Sequence, residues 1–416
     1  MSRRRKRSSP LRIFVLLALV AGALYVNQVV VPATPPLFIP TATPTRSPES
    51  FINDAGELIK KGKINQAIET YKQAVKADPR NPAVYVTLAR WQVLYGDYEG
   101  AMENVENALL LNQNHALALA VRGWILGKQG EYLDGEGAIE QSLELDPNSA
   151  LAYAYLAEIY KDRIDSGNED LNTRELAGQY SRKAVDLDPT LLEVRRARGL
   201  VLEVTGNYEE AIKEFQAAVA MNQNLADLHI ALGRNYKATT EYDRAADEFN
   251  KAIALKPDDA EPYAELARTY LTIGEFAKGA QYAEQAVQQD ASDPYVQGLL
   301  GTLYYKSEQF NEAIMPLRLA VRGGLTEEGV TVEGIPLDKS VTSISYYSRF
   351  GLALAKAGQC GEALQVSQQL AEAAPDDEIA TGNAQVMIDI CTELAENPDP
   401  QDTETPDSEQ TETPEP

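Results

Sequence analysis

The sequence predicts an all-α solenoid: about nine stacked two-helix units, closed by one further helix and preceded by an apolar helix long enough to cross a bilayer. Three observations carry this expectation. Small residues recur in pairs twelve positions apart, and the pairs themselves recur at a spacing of 34. Glycines and prolines punctuate the same period at fixed offsets. A cluster of arginines runs directly into an apolar stretch near the N-terminus.

The chain has 416 residues with 38 basic and 62 acidic side chains, a net charge of −24. Six of the basic residues, Arg3, Arg4, Arg5, Lys6, Arg7 and Arg12, lie in the first twelve positions, far ahead of the first acidic one, Glu49. Without them 32 basic residues stand against 62 acidic ones, so the remainder carries −30. Such a body repels nucleic-acid backbones and anionic lipid headgroups, which excludes nucleic acid as a partner. Two cysteines and two histidines are too few for a structural zinc site.

Residues 1–12 form the basic N-terminus and 13–31 the apolar run, interrupted only by Asn27 and Gln28. A run of about 20 residues crosses a bilayer core as a helix. The positive-inside bias keeps the basic cluster in the cytoplasm and sends the rest of the chain across. The competing reading is a cleaved signal peptide. Its small residues, Ala21-Gly22-Ala23, lie inside the apolar run instead of at its end, which favours an uncleaved signal-anchor. Residues 32–47 are a Pro/Thr-rich stalk, stiff and extended in polyproline II form.

The small residues mark helix crossings. The first column runs Ala55, Ala89, Gly123, Ala157, Gly199, Gly233, Ala267, Gly301, Gly351, and the second Ala67, Ala101, Gly135, Ala177, Ala211, Ala245, Gly279, Ala313, Ala363. Two antiparallel helices approach closely only where the crossing residues are small. Between the columns lies a turn with Gly62, Gly96, Gly130, Gly206, Gly274 or Gly358, where a left-handed conformation ends the first helix. An aromatic follows two residues later, as in Tyr98, Tyr132, Tyr208, Tyr242, Phe276 and Phe310, and is expected to fill the wedge between hairpins. Pro79, Pro147, Pro189, Pro257 and Pro375 stop the second helices.

This pattern resembles the tetratricopeptide repeat family, over nine units within 48–376. The resemblance implies a right-handed α-solenoid. Gln113, Gln223 and Ala291 replace the usual proline, which is expected to weaken those junctions, and the ninth unit departs from the pattern at Ser367 and Leu370. Insertions near 161–173 and 323–342 break the register; the second alternates Val-Thr-Val among glycines and hints at a short hairpin or ordered loop. Residues 377–396 read as a capping helix and 397–416 as an acidic disordered tail.

Cys360 opens the second helix of unit nine and Cys391 lies late in the capping helix. Antiparallel packing of those helices would bring them together as a disulfide; the alternative is two buried free thiols.

The resemblance further implies that the first helix of each unit lines a concave groove for an extended peptide or a helix. In register, the groove-facing residues are Arg90, Trp124, Arg196, Arg234, Lys237, Arg268 and Tyr305. Arginine forks in a concave surface would grip an acidic peptide. Glu158 and Glu203 face the same groove and offer the plainer reading, that these cations are neutralised internally. The set lacks the Lys/Asn arrangement with which some relatives clamp a terminal carboxylate. The acidic tail is a further occupant to weigh against outside partners.

No enzyme is expected. His115 and His229 have no partner at a catalytic spacing, no phosphate-cradling loop appears, and no cofactor or metal is implied. The chain reads as a membrane-tethered protein-interaction scaffold; the alternative is an accessory or assembly factor of an envelope enzyme or a secretion, pilus or wall-synthesis complex, by analogy alone.

Overall fold

The computed structural model describes residues 9–30 and 46–397. The basic cluster at 1–8, the stretch 31–45 that holds nearly all of the stalk, and the tail beyond Asn397 lie outside the described residues. The apolar run forms α1 (Pro10–Tyr25), continued by one π-helical turn, Val26–Val30. None of the α1 residues is buried, and Pro10–Gln28 is long and apolar enough to cross a membrane.

Nine hairpins follow. The first five are α2 (Pro48–Lys60) with α3 (Ile64–Ala77), α4 (Pro82–Tyr95) with α5 (Tyr98–Leu111), α6 (Ala116–Lys128) with α7 (Tyr132–Leu145), α8 (Ala150–Asp165) with α9 (Thr173–Leu187), and α10 (Leu192–Val204) with α11 (Tyr208–Met221). The remaining four are α12 (Ala226–Ala238) with α13 (Tyr242–Leu255), α14 (Ala260–Ile273) with α15 (Phe276–Gln289), α16 (Pro294–Lys306) with α17 (Phe310–Arg322), and α18 (Val341–Lys356) with α19 (Cys360–Ala373). A last helix, α20 (Glu378–Glu396), covers α18 and α19.

Every residue of both small-residue columns is buried. The notches are real close approaches: a Cβ on Gly123 would lie 2.4 Å from the Gly135 carbonyl oxygen. On Gly199 and Gly233 it would lie 2.8 and 2.6 Å from the rings of Phe215 and Phe249. Those two buried phenylalanines fill the hairpins from within. The aromatics expected to fill the wedge sit at the starts of second helices: Tyr132 reaches the next hairpin, donating to the Ser166 hydroxyl at 3.1 Å, whereas Tyr208 is 38 % exposed. The turns use left-handed glycine, with φ of 92° at Gly96 and 85° at Gly274. In units six and eight the same place is taken by Thr240 and Glu308, with φ of 64° and 61°.

The junctions between units are clasped by a side chain six positions on. Tyr153 and Tyr263 donate to the carbonyls of Pro147 and Pro257 at 3.4 and 3.2 Å. Arg195 donates to Pro189 at 2.9 Å. Where proline is missing the clasp persists: His229 Nε2 lies 3.0 Å from the Gln223 carbonyl oxygen, and Gln297 donates to the Ala291 carbonyl at 3.0 Å. The expected weakness at Gln223 and Ala291 is therefore offset by hydrogen bonds. The other ring nitrogen of His229 lies 2.6 Å from Glu248 in the interior, so this histidine is a structural strut. His115 caps α6, accepting from the Ala118 amide at 3.2 Å.

The first insertion lengthens α8 and closes a loop held by Arg163 on Asp170 at 3.1 Å. The second carries β1 (Gly324–Leu325) paired antiparallel with β2 (Thr331–Val332). Val332 and Ile335 are buried, and the Tyr347 hydroxyl of α18 lies 3.3 Å from the Ile335 carbonyl oxygen of the insertion and 2.9 Å from the Val321 carbonyl oxygen of α17.

The winding also brings units one and two against units five to seven. Asn224 Nδ2 donates to the Lys60 carbonyl at 2.9 Å across 164 residues. Lys256 Nζ sits 5.6 Å from the Tyr95 ring centre. Arg90 Nε donates to Glu193 at 3.1 Å, 103 residues away. Residues from both sides, among them Ile64, Tyr95, Leu225 and Ile230, line a cleft of about 360 Å³ along this seam.

Candidate functional site

The first helices of successive units lie side by side, so groove positions about one repeat apart meet. Trp124 Nε1 donates to Glu158 at 2.8 Å, 34 residues on. Lys128 reaches Glu158 at 3.0 Å and Asp162 at 2.8 Å. Arg196 bonds Glu158, and its Nε reaches Asp227 at 2.8 Å. Arg234 reaches Glu203 and Glu261, each at 2.8 Å. Lys237 bonds Glu265, which Arg268 also meets at 3.0 Å. The result is a ladder of ion pairs down the concave face of units two to seven.

Electrostatics follow from this geometry. Burial alone would raise the Glu158 carboxyl, but Arg196 and Lys128, with the Trp124 hydrogen bond, outweigh it and hold it down at about 2. At Glu265 burial is likewise overcome, here by Lys237 and Arg268, and the carboxyl is lowered. Glu261 stands at the exposed edge of the ladder, with half of its side chain in water.

Six of the groove residues named from the sequence, Arg90, Trp124, Arg196, Arg234, Lys237 and Arg268, thus have partners within the chain. Trp124 is corrected outright. It is 1 % exposed and stacked on Tyr155 with ring centres 4.3 Å apart, so it lies inside the stack and offers no surface to a peptide. Tyr305 is different: it lies on an open cleft.

That cleft, about 360 Å³, lies between α16, α18 and the start of α20. Its walls include Tyr305, Lys306, Ile344, Arg349, Ile379 and Asn383. Arg349 is half-buried and bonds the Ser345 hydroxyl. Among the described residues no carboxylate pairs with Arg349 or Lys306. Burial pulls the guanidinium of Arg349 below its usual range, only partly offset by Tyr346 and Tyr305. Asp377 also borders the cleft, but its carboxylate caps α20, accepting from the amides of Ile379 and Ala380 at 2.9 and 2.8 Å. The Ser348 hydroxyl, also in the wall, is buried without a partner. The reason the ladder stops here is compositional: α16 and α18 contain no Asp or Glu. Sequence reasoning missed Arg349; the lack of carboxylates alone does not point to it, since α4 and α6 contain none either.

Cys360 and Cys391 are joined as a disulfide with Cα atoms 5.5 Å apart. The bond ties the start of α19 to the end of α20. Ser367, one of the departures from the repeat pattern, donates to the Ala384 carbonyl at 2.9 Å and adds a second tie.

A sequence profile described as the tetratricopeptide repeat matches residues 58–125 and 238–303. The array is built of tetratricopeptide repeats. Among curated proteins, the tetratricopeptide repeat and J domain-containing co-chaperone DNJ1 of Cryptococcus neoformans is 22 % identical over 155 residues, covering 36 % of this chain and 30 % of that protein. DnaJ homolog subfamily C member 3 of Gallus gallus is 25 % identical over 174 residues, covering 39 % and 34 % respectively. The chain spans about a third of the length of these two curated relatives. Among solved structures, a tetratricopeptide repeat protein from Parabacteroides merdae is 19 % identical with a TM-score of 0.39, covering 62 % of this chain and 98 % of that one. Pseudomonas aeruginosa pilF is 22 % identical with a TM-score of 0.41, covering 49 % and 90 %. Tetratricopeptide repeats are typically non-catalytic surfaces for protein–protein contact, and this array is an interaction scaffold of that kind.

Proposed function

We propose that the scaffold is tethered to a membrane by α1, faces the extracytoplasmic side, and takes a peptide of acidic character in the cleft between units eight and nine and the capping helix. One observation carries the choice of site: Arg349 is a partly desolvated guanidinium in a concave wall with no carboxylate partner among the described residues. A guanidinium so placed gains most from an incoming carboxylate, because charge-assisted fork bonds strengthen where water is excluded. Tyr305, Ile344 and Ile379 supply apolar contact beside it. The groove cations Arg90, Lys128, Arg196, Arg234, Lys237 and Arg268 already have carboxylates, so an acidic peptide there would have to displace them. The tether rests on the apolar run and its basic flank, and the sidedness on positive-inside bias together with the disulfide.

The test is affinity capture with the full chain in nanodiscs, comparing wild type with Arg349→Glu and with Lys213→Glu, an exposed cation on α11. A protein captured by wild type and by Lys213→Glu but lost with Arg349→Glu supports the site. Equal capture by all three excludes it.

A further inference from the structure

The tail contains a repeat of its own, with a shorter period than the array. Residues 398–405 read PDPQDTET, 406–413 read PDSEQTET, and 414–416 open a third copy, PEP. Each copy begins with proline followed by a carboxylate: Pro398-Asp399, Pro406-Asp407 and Pro414-Glu415. From Asn397 on there are seven acidic residues and no basic one.

We infer that the second and third of these proline–acid pairs dock in the Arg349 cleft and occupy it until a partner displaces them. This rests on the reading of the cleft as a peptide site and adds its resident occupant. The chemistry matches residue by residue. A carboxylate one position after a proline would meet the guanidinium of Arg349, with Lys306 adding positive charge. The proline ring would lie against Tyr305, since proline-rich segments are pre-set in an extended form that packs on aromatic walls.

Tether length decides which copies take part. The cleft wall includes Ile379 and Asn383 at the start of α20, and the tail leaves from the other end, after Glu396. At a rise of about 1.5 Å per residue, the tail begins roughly 20–25 Å from that wall. Pro398-Asp399 is about three residues from the helix end and reaches only about 10 Å. Pro406-Asp407 reaches about 35 Å, and Pro414-Glu415 about 60 Å. Linkers of about ten and eighteen residues have root-mean-square spans of roughly 17 and 23 Å. The linker thus matches the gap, the condition under which an attached ligand reaches an effective concentration on the order of millimolar.

The probe is a fluorescein-labelled synthetic peptide of residues 404–416, titrated by anisotropy against the nanodisc-bound chain. The expected result is binding to a chain ending at Asn397 and at least about tenfold weaker binding to the full chain, where the attached copies compete. In the shortened chain, Arg349→Glu removes binding. In the full chain, Asp407→Asn with Glu415→Gln restores access for the added peptide, whereas Asp399→Asn does not. A peptide that fails to bind the shortened chain, binds both chains equally, or ignores Arg349→Glu overturns the inference. Because Arg349→Glu alters a helix in the core of unit nine, photocrosslinking from a benzoylphenylalanine at Tyr305 in the otherwise unaltered chain is the second measurement. Crosslinks to residues 406–416 support docking, and their absence overturns it. If the peptide fails here while Arg349-dependent capture of another protein succeeds, the cleft remains a partner site and only its resident occupant is lost.

Discussion

Glu158→Gln is the sharpest test of the ion-pair ladder. Glu158 is completely buried and receives Trp124, Lys128 and Arg196. Its folded-state carboxyl is held at about 2 against an ordinary value of 4.5. That difference corresponds to about 3 kcal/mol favouring the folded state. Because the folded value is the lower one, the stabilisation is complete above about pH 4.5 and disappears as pH falls toward 2. The glutamine removes the charge but leaves Lys128 on Asp162 and Arg196 on Asp227, each at 2.8 Å, so neither cation is orphaned. The expected loss at pH 7 is therefore about 3 kcal/mol, the low end for breaking a buried ion pair. Native-state hydrogen exchange of the α6 and α8 amides measures the opening free energy locally, without assuming that the whole array unfolds at once. Wild type and Glu158→Gln should differ by that amount at pH 7 and converge toward pH 2. An unchanged opening energy at pH 7, or a difference that persists undiminished at the acid end, would refute the ladder as a source of stability.

Three further outcomes are expected. Thr240→Gly, at φ 64°, relieves a left-handed β-branched residue and should stabilise unit six by about 0.5–1 kcal/mol, seen as a higher urea midpoint; Thr205→Gly, in the ordinary region, should not. Cutting the Cys360–Cys391 bond opens a loop with a separation of 31 residues and should cost about 3–4 kcal/mol in the chain-entropy account, read as faster exchange throughout α20 after reduction. Glu193→Gln breaks the long-range pair with Arg90 and should widen the seam, lengthening a spin-label distance between Lys63 and Asp258, with little change in helix content.

The legible part of the fold was whatever depends on a short-range pattern. Ala89 and Ala101, or Gly123 and Gly135, mark a crossing because steric exclusion acts between helices joined by a tight turn, at a fixed offset in sequence. The ion-pair ladder is harder, because its partners lie 27 to 38 residues apart and their offset varies: Trp124 finds Glu158 at 34, Arg196 finds Asp227 at 31, Arg234 finds Glu261 at 27 and Arg196 finds Glu158 at 38. Part of that variation comes from the eight-residue insertion between Glu158 and Arg196, and part from which turn of each helix carries the partner. The seam is further removed still, since the meeting of Asn224 with Lys60 depends on the curvature summed over several units. The residues that clasp the junctions, such as His229 and Gln297, share no residue type, so the sequence pattern did not mark them; their role follows from the carbonyl six positions back.

The same reasoning explains why the candidate site lies near the end of the array instead of its middle. A groove cation is available to a partner where no helix offers it a carboxylate: α4 and α6 contain none either, but Arg90 and Lys128 on them reach Glu193 and Glu158 elsewhere, whereas Arg349, between the carboxylate-free α16 and α18, pairs with none among the described residues. Supplying one should therefore close the site. Tyr305 lies in the cleft wall close enough to lower the cost of charge on Arg349, so Tyr305→Glu places a carboxylate within reach of the guanidinium and extends the ladder by one rung. The expected stability gain is small, about 0–1 kcal/mol, because the cleft is open to water. The expected loss of affinity for an acidic peptide is large, because the variant removes the ring and neutralises the receptor together. Tyr305→Phe keeps the ring and the charge and should bind within a few-fold of wild type. If Tyr305→Glu binds an acidic peptide as well as Tyr305→Phe does, Arg349 is not the receptor, and the absence of carboxylates from α16 and α18 has no bearing on recognition.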